Sequence, residues 1–351
     1  MILSTLDKSR KGGAYEQIPS LVLGQRWTPQ LNSRNMMKVV LCVWIEPYIE
    51  NDLSFCVWPV HTPTTSKEVL TLSASTSPLP YTGNKSCIVN TILSVMPKHT
   101  VYIDPCMGSA EVFFRKPRAE KEILNDYNGD LVNLFRVIQN NEKLAYLLGR
   151  LYLSINGELA FKQNKDRLKG VPNILDDVIE TSQIFYDASW EDIQNAAAFL
   201  ENQVYSFSST GQTFGIARRD MSQRLPRLMS AYNRIRDAII LHRDYKDVIT
   251  YAACPGSFIL LDPPYKGTED MYSKANFDIE QHDILFSFMS EVNQQHHGEV
   301  KFLITYNNGP YIRGLAEKHG FDTFVQTRLH SMKQSKEAGA LYEELLIANY
   351  D

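Results

Sequence analysis

An apolar run ends in an acid, two prolines and a tyrosine at LLDPPY, Leu260–Tyr265. The prolines donate no backbone hydrogen bond and disfavour helix at the residue before them, so the chain leaves the strand along a restricted path. Asp262 and Tyr265 are then held at a strand's C-terminal end, with Pro263 and Pro264 between them. A carboxylate and the neighbouring carbonyl of Pro263 can accept hydrogen bonds from an amine, while a tyrosine ring stacks on a flat base. The quartet suits a planar substrate carrying an amino group. Two more acids stand in comparable places, Asp104 in YIDPCMGSAEVFF and Asp126 in KEILND. Gly108, with small Ser109 and Ala110 after it, permits a tight turn where a ligand can approach backbone near a helix start. The full G-x-G-x-x-G of nicotinamide-binding turns is missing. Asp126 can accept two hydrogen bonds from ribose hydroxyls. Each acid alone reads as a helix cap or turn residue. Three of them, each with distinctive neighbours, point to a nucleotide or nucleoside ligand beside an amine-bearing substrate.

The elements that must position these acids are legible from residue 79 onward. TVYIDP, KEILND, GSFILLDPPY, VKFLITYNN and EELLIANY read as strands. Between them lie helical stretches, among them YNGDLVNLFRVIQ with Leu131, Leu134, Phe135 and Ile138 on one face. GPYIRGLAEKHG reads as a helix with a glycine stop. Strands alternating with helices predict an α/β fold with a doubly wound, mostly parallel sheet, in which ligands bind outside the carboxyl ends of the strands. Residues 151–245 interrupt the alternation and read as a helical, polar-faced insert between residues 78–150 and 246–351. Its last helix is expected to run through RRDMSQRLPRLMSAYNRIRDAIILHRDYKD with Leu225, Leu228, Tyr232, Ile235 and Ile239 inward. Residues 1–77 form a leader of a different character, with two short apolar bursts and a Thr/Ser/Pro-rich linker.

Composition narrows the function classes. A hydrophobic share of 44% and a charged share of 22% fit a folded chain rather than a disordered one. A net charge of -4 excludes a protein that coats nucleic acid along its whole length, so nucleic acid would need a local basic patch. The insert supplies one: Arg218, Arg219, Arg224, Arg227, Arg234 and Arg236 face only Asp220 before Asp237. Arginines grip phosphates and read guanine edges. Arg218 and Arg219, beside the SSTGQTFG loop, are the stronger candidates, and a solvated helix face is the alternative for the others. The five cysteines are odd in number, widely spaced and free of C-x-x-C pairs, which fits a reducing cytoplasm rather than a disulfide framework or zinc site. The histidines show no metal spacing. No apolar run is long enough to span a membrane, and the first residues lack the order of a signal peptide.

From residue 79 to the end, nearly 80% of the chain resembles the D12 class of DNA adenine methyltransferases, the Dam-like group with the alpha order of motifs. YTGNK (Tyr81–Lys85), YIDPCMGSAEVFFRKP, ILNDYNGDLVNLFRVIQ, LLDPPY and EELLIANY carry the resemblance, in the family's order. Cys106 replaces the usual aromatic residue, and Ala110 replaces a second glycine. The resemblance implies a Rossmann-like fold of S-adenosylmethionine-dependent methyltransferases, with residues 151–245 as a target-recognition subdomain. It implies that Tyr81 and Lys85 touch S-adenosylmethionine, that Asp104 and Gly108 line its pocket, and that Asp126 holds its ribose. It places Asp262 beside both the methionine moiety and the target amine.

The reaction expected on this basis is direct methyl transfer to the N6 amine of an adenine flipped out of double-stranded DNA, with no metal. Arg218, Arg219, Arg224 and Arg227 would contact that DNA. The expectation extends to a cytoplasmic bacterial or phage protein, a monomer or weak dimer, with a cognate restriction endonuclease as a further partner. Cytosine N4 methylation usually goes with S-P-P-Y and protein glutamine methylation with N-P-P-Y, so DPPY disfavours both. A catalytically silent DNA-binding protein that keeps the fold is the rival from another class.

Overall fold

The structure is a computed structural model that describes residues 76–176, 189–217, 219–268, 277–329 and 341–351. The leader up to residue 75, and Arg218, lie outside them. Seven strands form one sheet: β1 (Val101–Asp104), β2 (Lys121–Asn125), β3 (Ile239–Leu241), β4 (Ser257–Leu261), β5 (Lys301–Asn307), β6 (Asp322–Leu329) and β7 (Leu341–Ala348). Their order across the sheet is β3-β2-β1-β4-β5-β7-β6. The pairs β3–β2, β2–β1, β1–β4 and β4–β5 are parallel, and β7 runs antiparallel to both its neighbours. The expected α/β architecture with a mostly parallel sheet is therefore present.

A sheet buried on both faces needs strands apolar at every position. In β4 all five residues, SFILL, are buried. Phe258 and Leu260 join the core on one face, with Tyr102, Leu124 and Leu303, while Ile259 and Leu261 join the other, with Ile103, Ile123 and Ile304. The first face is covered by α1 (Val89–Val95), α2 (Glu111–Arg115), α3 (Gly129–Gln139), α4 (Asn141–Tyr152), α5 (Glu158–Lys169), α6 (Trp190–Tyr205) and α7 (Leu225–Ile235). The second is covered by α8 (Tyr245–Ala252), α9 (Ile279–Gln295) and α10 (Pro310–His319). Side-chain caps set several helix starts: Asn128 for α3, Asn140 for α4, Asp244 for α8 and Asp278 for α9. Gly320, in the left-handed conformation, stops α10 as the sequence predicts.

Three local expectations fail. The helix expected to run on through Ile239 ends at Ile235, and Ile239–Leu241 form β3 on the sheet edge. The inserted stretch thus ends inside the sheet. Helix α6, read as polar-faced, is buried from Asn195 to Tyr205 and shares the first-face core with β1 and β4. Its polar groups are matched internally, Glu201 by Arg150 (2.9 Å) and by Asn164 (2.7 Å). Arg234, weighed as a DNA contact, is buried instead. It forks onto Glu122 and lies over the Phe113 ring, 3.7 Å from its centroid, while Lys116 bonds the same carboxylate at 2.5 Å. Burial raises the cost of the Glu122 charge, but the two cations outweigh it and hold the carboxyl below its usual range. β6 has no counterpart among the expected strands.

Candidate active site

All three acids emerge at the carboxyl end of the parallel strands. Asp104 is the last residue of β1, Asp126 the first beyond β2, and Asp262 the first beyond β4. The β1 turn is held by Asn125, whose fully buried amide donates to the carbonyls of Pro105 and Arg243, 2.9 Å each. The Met107 amide donates to the Asn125 carbonyl at 2.8 Å. Gly108 and Ala110 both take positive φ, 47° and 55°. A side chain at Gly108 would be strained by its conformation, and its Cβ would rest in ordinary contact with the Tyr81 ring, 3.7 Å away. The Tyr81 ring thus lies against the turn.

Asp104 is buried and accepts from the Tyr102 hydroxyl at 3.0 Å. Burial pushes its carboxyl up to about 8, opposed by the Tyr102 bond and helped by the charges of Asp262 and Asp126. Asp126 accepts from the Gly108 and Asn128 amides, 2.9 Å each. Its densely surrounded carboxyl is raised to about 6, again chiefly by burial, against those two bonds. A carboxylate has about four acceptor sites, so Asp126 keeps capacity for ribose hydroxyls. Burial also raises the Cys106 thiol well above its ordinary value, which leaves it a neutral wall of the turn. Tyr245, at the start of α8, has a buried hydroxyl with no hydrogen-bond partner among the described residues. A ligand with cationic groups and hydrogen-bonding edges matches this set of donors and acceptors.

Asp262 differs. The Lys85 ammonium bonds its Oδ2, and the Thr305 hydroxyl donates to its Oδ1 at 2.6 Å. Lys85 is itself buried, donates to the Gly83 carbonyl at 2.9 Å, and lies 5.0 Å from the Tyr265 ring centroid. Tyr265 packs beside Tyr306 (centroids 5.7 Å apart) and points its hydroxyl at Glu344 of β7, 3.4 Å away. Pro263 is buried and Pro264 half-buried, so the turn is fixed from both sides. The residues expected from the sequence to be catalytic or to bind cofactor are therefore brought together at the carboxyl ends of β1, β2 and β4. Asn125, Tyr245, Thr305 and Glu344 were not anticipated.

The expected DNA contacts lie elsewhere on the molecule. Residues 206–215 form a small loop closed by a bridge between Ser206 and Phe214. The Thr82 hydroxyl donates to the Ser209 carbonyl at 3.1 Å and ties this loop to the YTGNK turn. Arg219 follows the loop, half-buried, with its guanidinium bonded to the Val204 carbonyl. Arg224 is half-buried and Arg227 exposed. Burial and the charges of Arg227 and Arg219 disfavour the Arg224 cation, so the three guanidiniums form one positive cluster. None of the three is in an ion pair among the described residues. Arg236 is exposed and pairs loosely with Asp237. Among the described residues no helix is long and apolar enough to cross a membrane, and no group of His, Cys, Asp or Glu could hold a metal.

The sheet order and the acids at its strand ends agree with a wider comparison. The sequence model of the D12 class N6 adenine-specific DNA methyltransferases matches residues 81–336, and the chain belongs to that family. It is 25% identical over 258 residues to the DNA N-6-adenine-methyltransferase of Escherichia phage P1, covering 69% of this chain and 31% of that protein. It is 21% identical over 300 residues to modification methylase LlaI of Lactococcus lactis subsp. lactis, covering 80% and 44%. Against type II methyltransferase M.CviBI of Paramecium bursaria Chlorella virus NC1A it is 22% identical over 262 residues, covering 72% and 90%. The match thus spans less than half the length of the first two relatives and most of the third.

Proposed function

We propose that this chain methylates the exocyclic N6 amine of adenine in double-stranded DNA, using S-adenosylmethionine. One observation supports the reading: Asp262, Lys85 and Tyr265 converge at the end of β4, beside buried Asp104 and half-buried Asp126, neither of which is in an ion pair among the described residues. Bound S-adenosylmethionine would supply an electrophilic methyl carbon on a positively charged sulfur. Asp104 and Asp126 would hold its polar groups, with Tyr81 over the Gly108 turn and the Tyr245 hydroxyl as a further donor.

The adenine amine is a poor nucleophile because its lone pair is delocalised into the ring. Hydrogen bonds from the amine to Asp262 and to the Pro263 carbonyl favour a pyramidal nitrogen with a freer lone pair. As the nitrogen–methyl bond formed, the methyl–sulfur bond would break with its electron pair left on the now neutral sulfur, and Asp262 would receive the proton that the nitrogen sheds. Most of the remaining acceleration is alignment of the reacting atoms. An amine inside a duplex is out of reach, so the base is flipped, and Tyr265 stacks on it to offset part of the unstacking. Arg219, Arg224 and Arg227 contact the DNA backbone or bases, and Arg218 belongs to the same stretch. A cognate restriction endonuclease fits the name of modification methylase LlaI among the relatives.

Transfer of labelled methyl from S-adenosylmethionine to unmethylated duplex DNA tests the reading. Label should enter DNA with the wild type and not with Asp262→Ala. A wild type that binds S-adenosylmethionine and DNA but transfers nothing would favour the silent DNA-binding reading.

A further inference from the structure

The β5 strand, KFLITYN, carries two hydroxyls in its buried centre: that of Tyr306 meets His282 Nδ1 at 2.8 Å, and the other belongs to Thr305. Thr305 has no solvent exposure. A buried hydroxyl is costly without a partner, and valine would fill the same β-branched shape with no such demand. The local preference of an apolar strand is broken here, so a compensating contact is expected. It is found at Asp262: the Thr305 Oγ1 lies 2.6 Å from Oδ1 of that carboxylate and 3.5 Å from the Leu261 carbonyl. A hydroxyl has one proton, and the shorter, charge-assisted contact claims it. The placement follows from the sheet. Leu261 of β4 pairs with Ile304 of β5, so the next residue on each strand, Asp262 and Thr305, meet at the mouth of the cleft.

We infer that Thr305 is a positioning residue for methyl transfer, fixing the plane of the Asp262 carboxylate so that Oδ2 alone faces the incoming amine. The inference rests on the proposed role of Asp262. In the structure Oδ2 is held by the Lys85 ammonium, a cationic N–H donor at the place where the amine must donate. When the amine takes or shares that oxygen, the Thr305 bond becomes the anchor that keeps the carboxylate from turning. The terminal torsion of aspartate is soft, so without this anchor the acceptor swings and the amine loses its alignment. Other charged or titratable groups around Asp262 are Asp104, Asp126, Cys106, Tyr306 and, through the ring beside Lys85, Tyr265; the Tyr306 hydroxyl is bonded to His282. None of these reaches Oδ1 from the β5 side.

Thr305→Val keeps shape and strand preference and removes only the hydroxyl. Its kcat for methyl transfer should fall about 10- to 100-fold, the loss expected for one hydrogen bond to a charged group. The Kd for S-adenosylmethionine and the KM for DNA should stay within about threefold, because the lost bond acts on alignment rather than on binding. Thr305→Ser should restore kcat to within about threefold of the wild type, since it returns the hydroxyl. Thr305→Ala is the second probe should the valine variant not fold, and its kcat should fall in the same way. Wild-type kcat in either folded variant overturns the inference, and so does a serine variant as impaired as the valine one. A wild type that yields no methylated adenine takes down the activity and this inference together. An active wild type with an unimpaired valine variant takes down Thr305 alone.

Discussion

Two ends of one site carry the same side chain in different surroundings. At β1 and β2, Asp104 and Asp126 are met by N–H groups and a tyrosine hydroxyl, with no cationic partner among the described residues, and burial raises both. At β4, Asp262 is bonded on both oxygens, by Lys85 and by Thr305. The first end holds an unmet demand for positive charge, which suits a resident ligand with cationic groups. The second end has that demand met within the chain, which suits a transient amine that must displace a donor already in place. The carboxylates thus divide into a pair that binds and one that acts.

Breaking the acting end should have the largest effect. Asp262→Ala should lower the methyl-transfer rate by at least about 10³-fold, as removal of a preorganised transition-state contact does. Circular dichroism should show the fold retained, and a variant above a tenth of wild-type rate would remove Asp262 from the chemistry. At the binding end, Asp104→Asn should weaken S-adenosylmethionine by about 10- to 100-fold in calorimetry, the worth of a charge-assisted contact. The same variant sharpens the contrast through pH. The folded carboxyl near 8 lies above its unfolded value of 3.8, so the unfolded state loses its proton first. The contribution of Asp104 to the stability of the ligand-free protein is therefore fully present below about pH 4 and is lost as pH rises to about 8. The thermal midpoint should fall over that window, and less so in Asp104→Asn. An unchanged slope would mean that Asp104 is not the group.

Tyr265 tests the base side of the acting end. Tyr265→Ala should weaken capture of the base by about 1–3 kcal/mol, read as a raised KM for DNA. Tyr265→Phe loses the 3.4 Å contact to Glu344 and should stay within about threefold of wild type, because stacking needs no hydroxyl. The smallest expected effect lies outside the cleft. Arg224→Ala and Arg227→Ala should each reduce the slope of log affinity against log salt by about 1. A slope that does not change would return these residues to an ordinary solvated face.

The sequence was most informative where chemistry interrupts an apolar pattern at a strand end. Asp104, Asp126 and Asp262 stood out because an acid after a buried strand needs a reason. Thr305 did not, because threonine is an ordinary strand residue and its partner lies 43 positions away in the chain. Asn125 was hidden in the same way, one residue before an acid that drew the attention. Arg234 misled because a basic run is read along the chain, whereas its buried partner Glu122 comes from a strand 112 residues earlier. β3 was taken for helix because Ile239 continues the inward spacing of Leu228, Tyr232 and Ile235, and three residues are too few to show a strand's alternation. β6 escaped notice because its start, Asp322 to Val325, is exposed and only half apolar.

The most direct test is product identity. Unmethylated duplex DNA incubated with the protein and S-adenosylmethionine would be digested to nucleosides and read by mass spectrometry, beside Asp262→Ala. The expected result is N6-methyladenine from the wild type and none from the variant. Methylcytosine, or no methylated nucleoside from a protein that binds S-adenosylmethionine, would contradict the account.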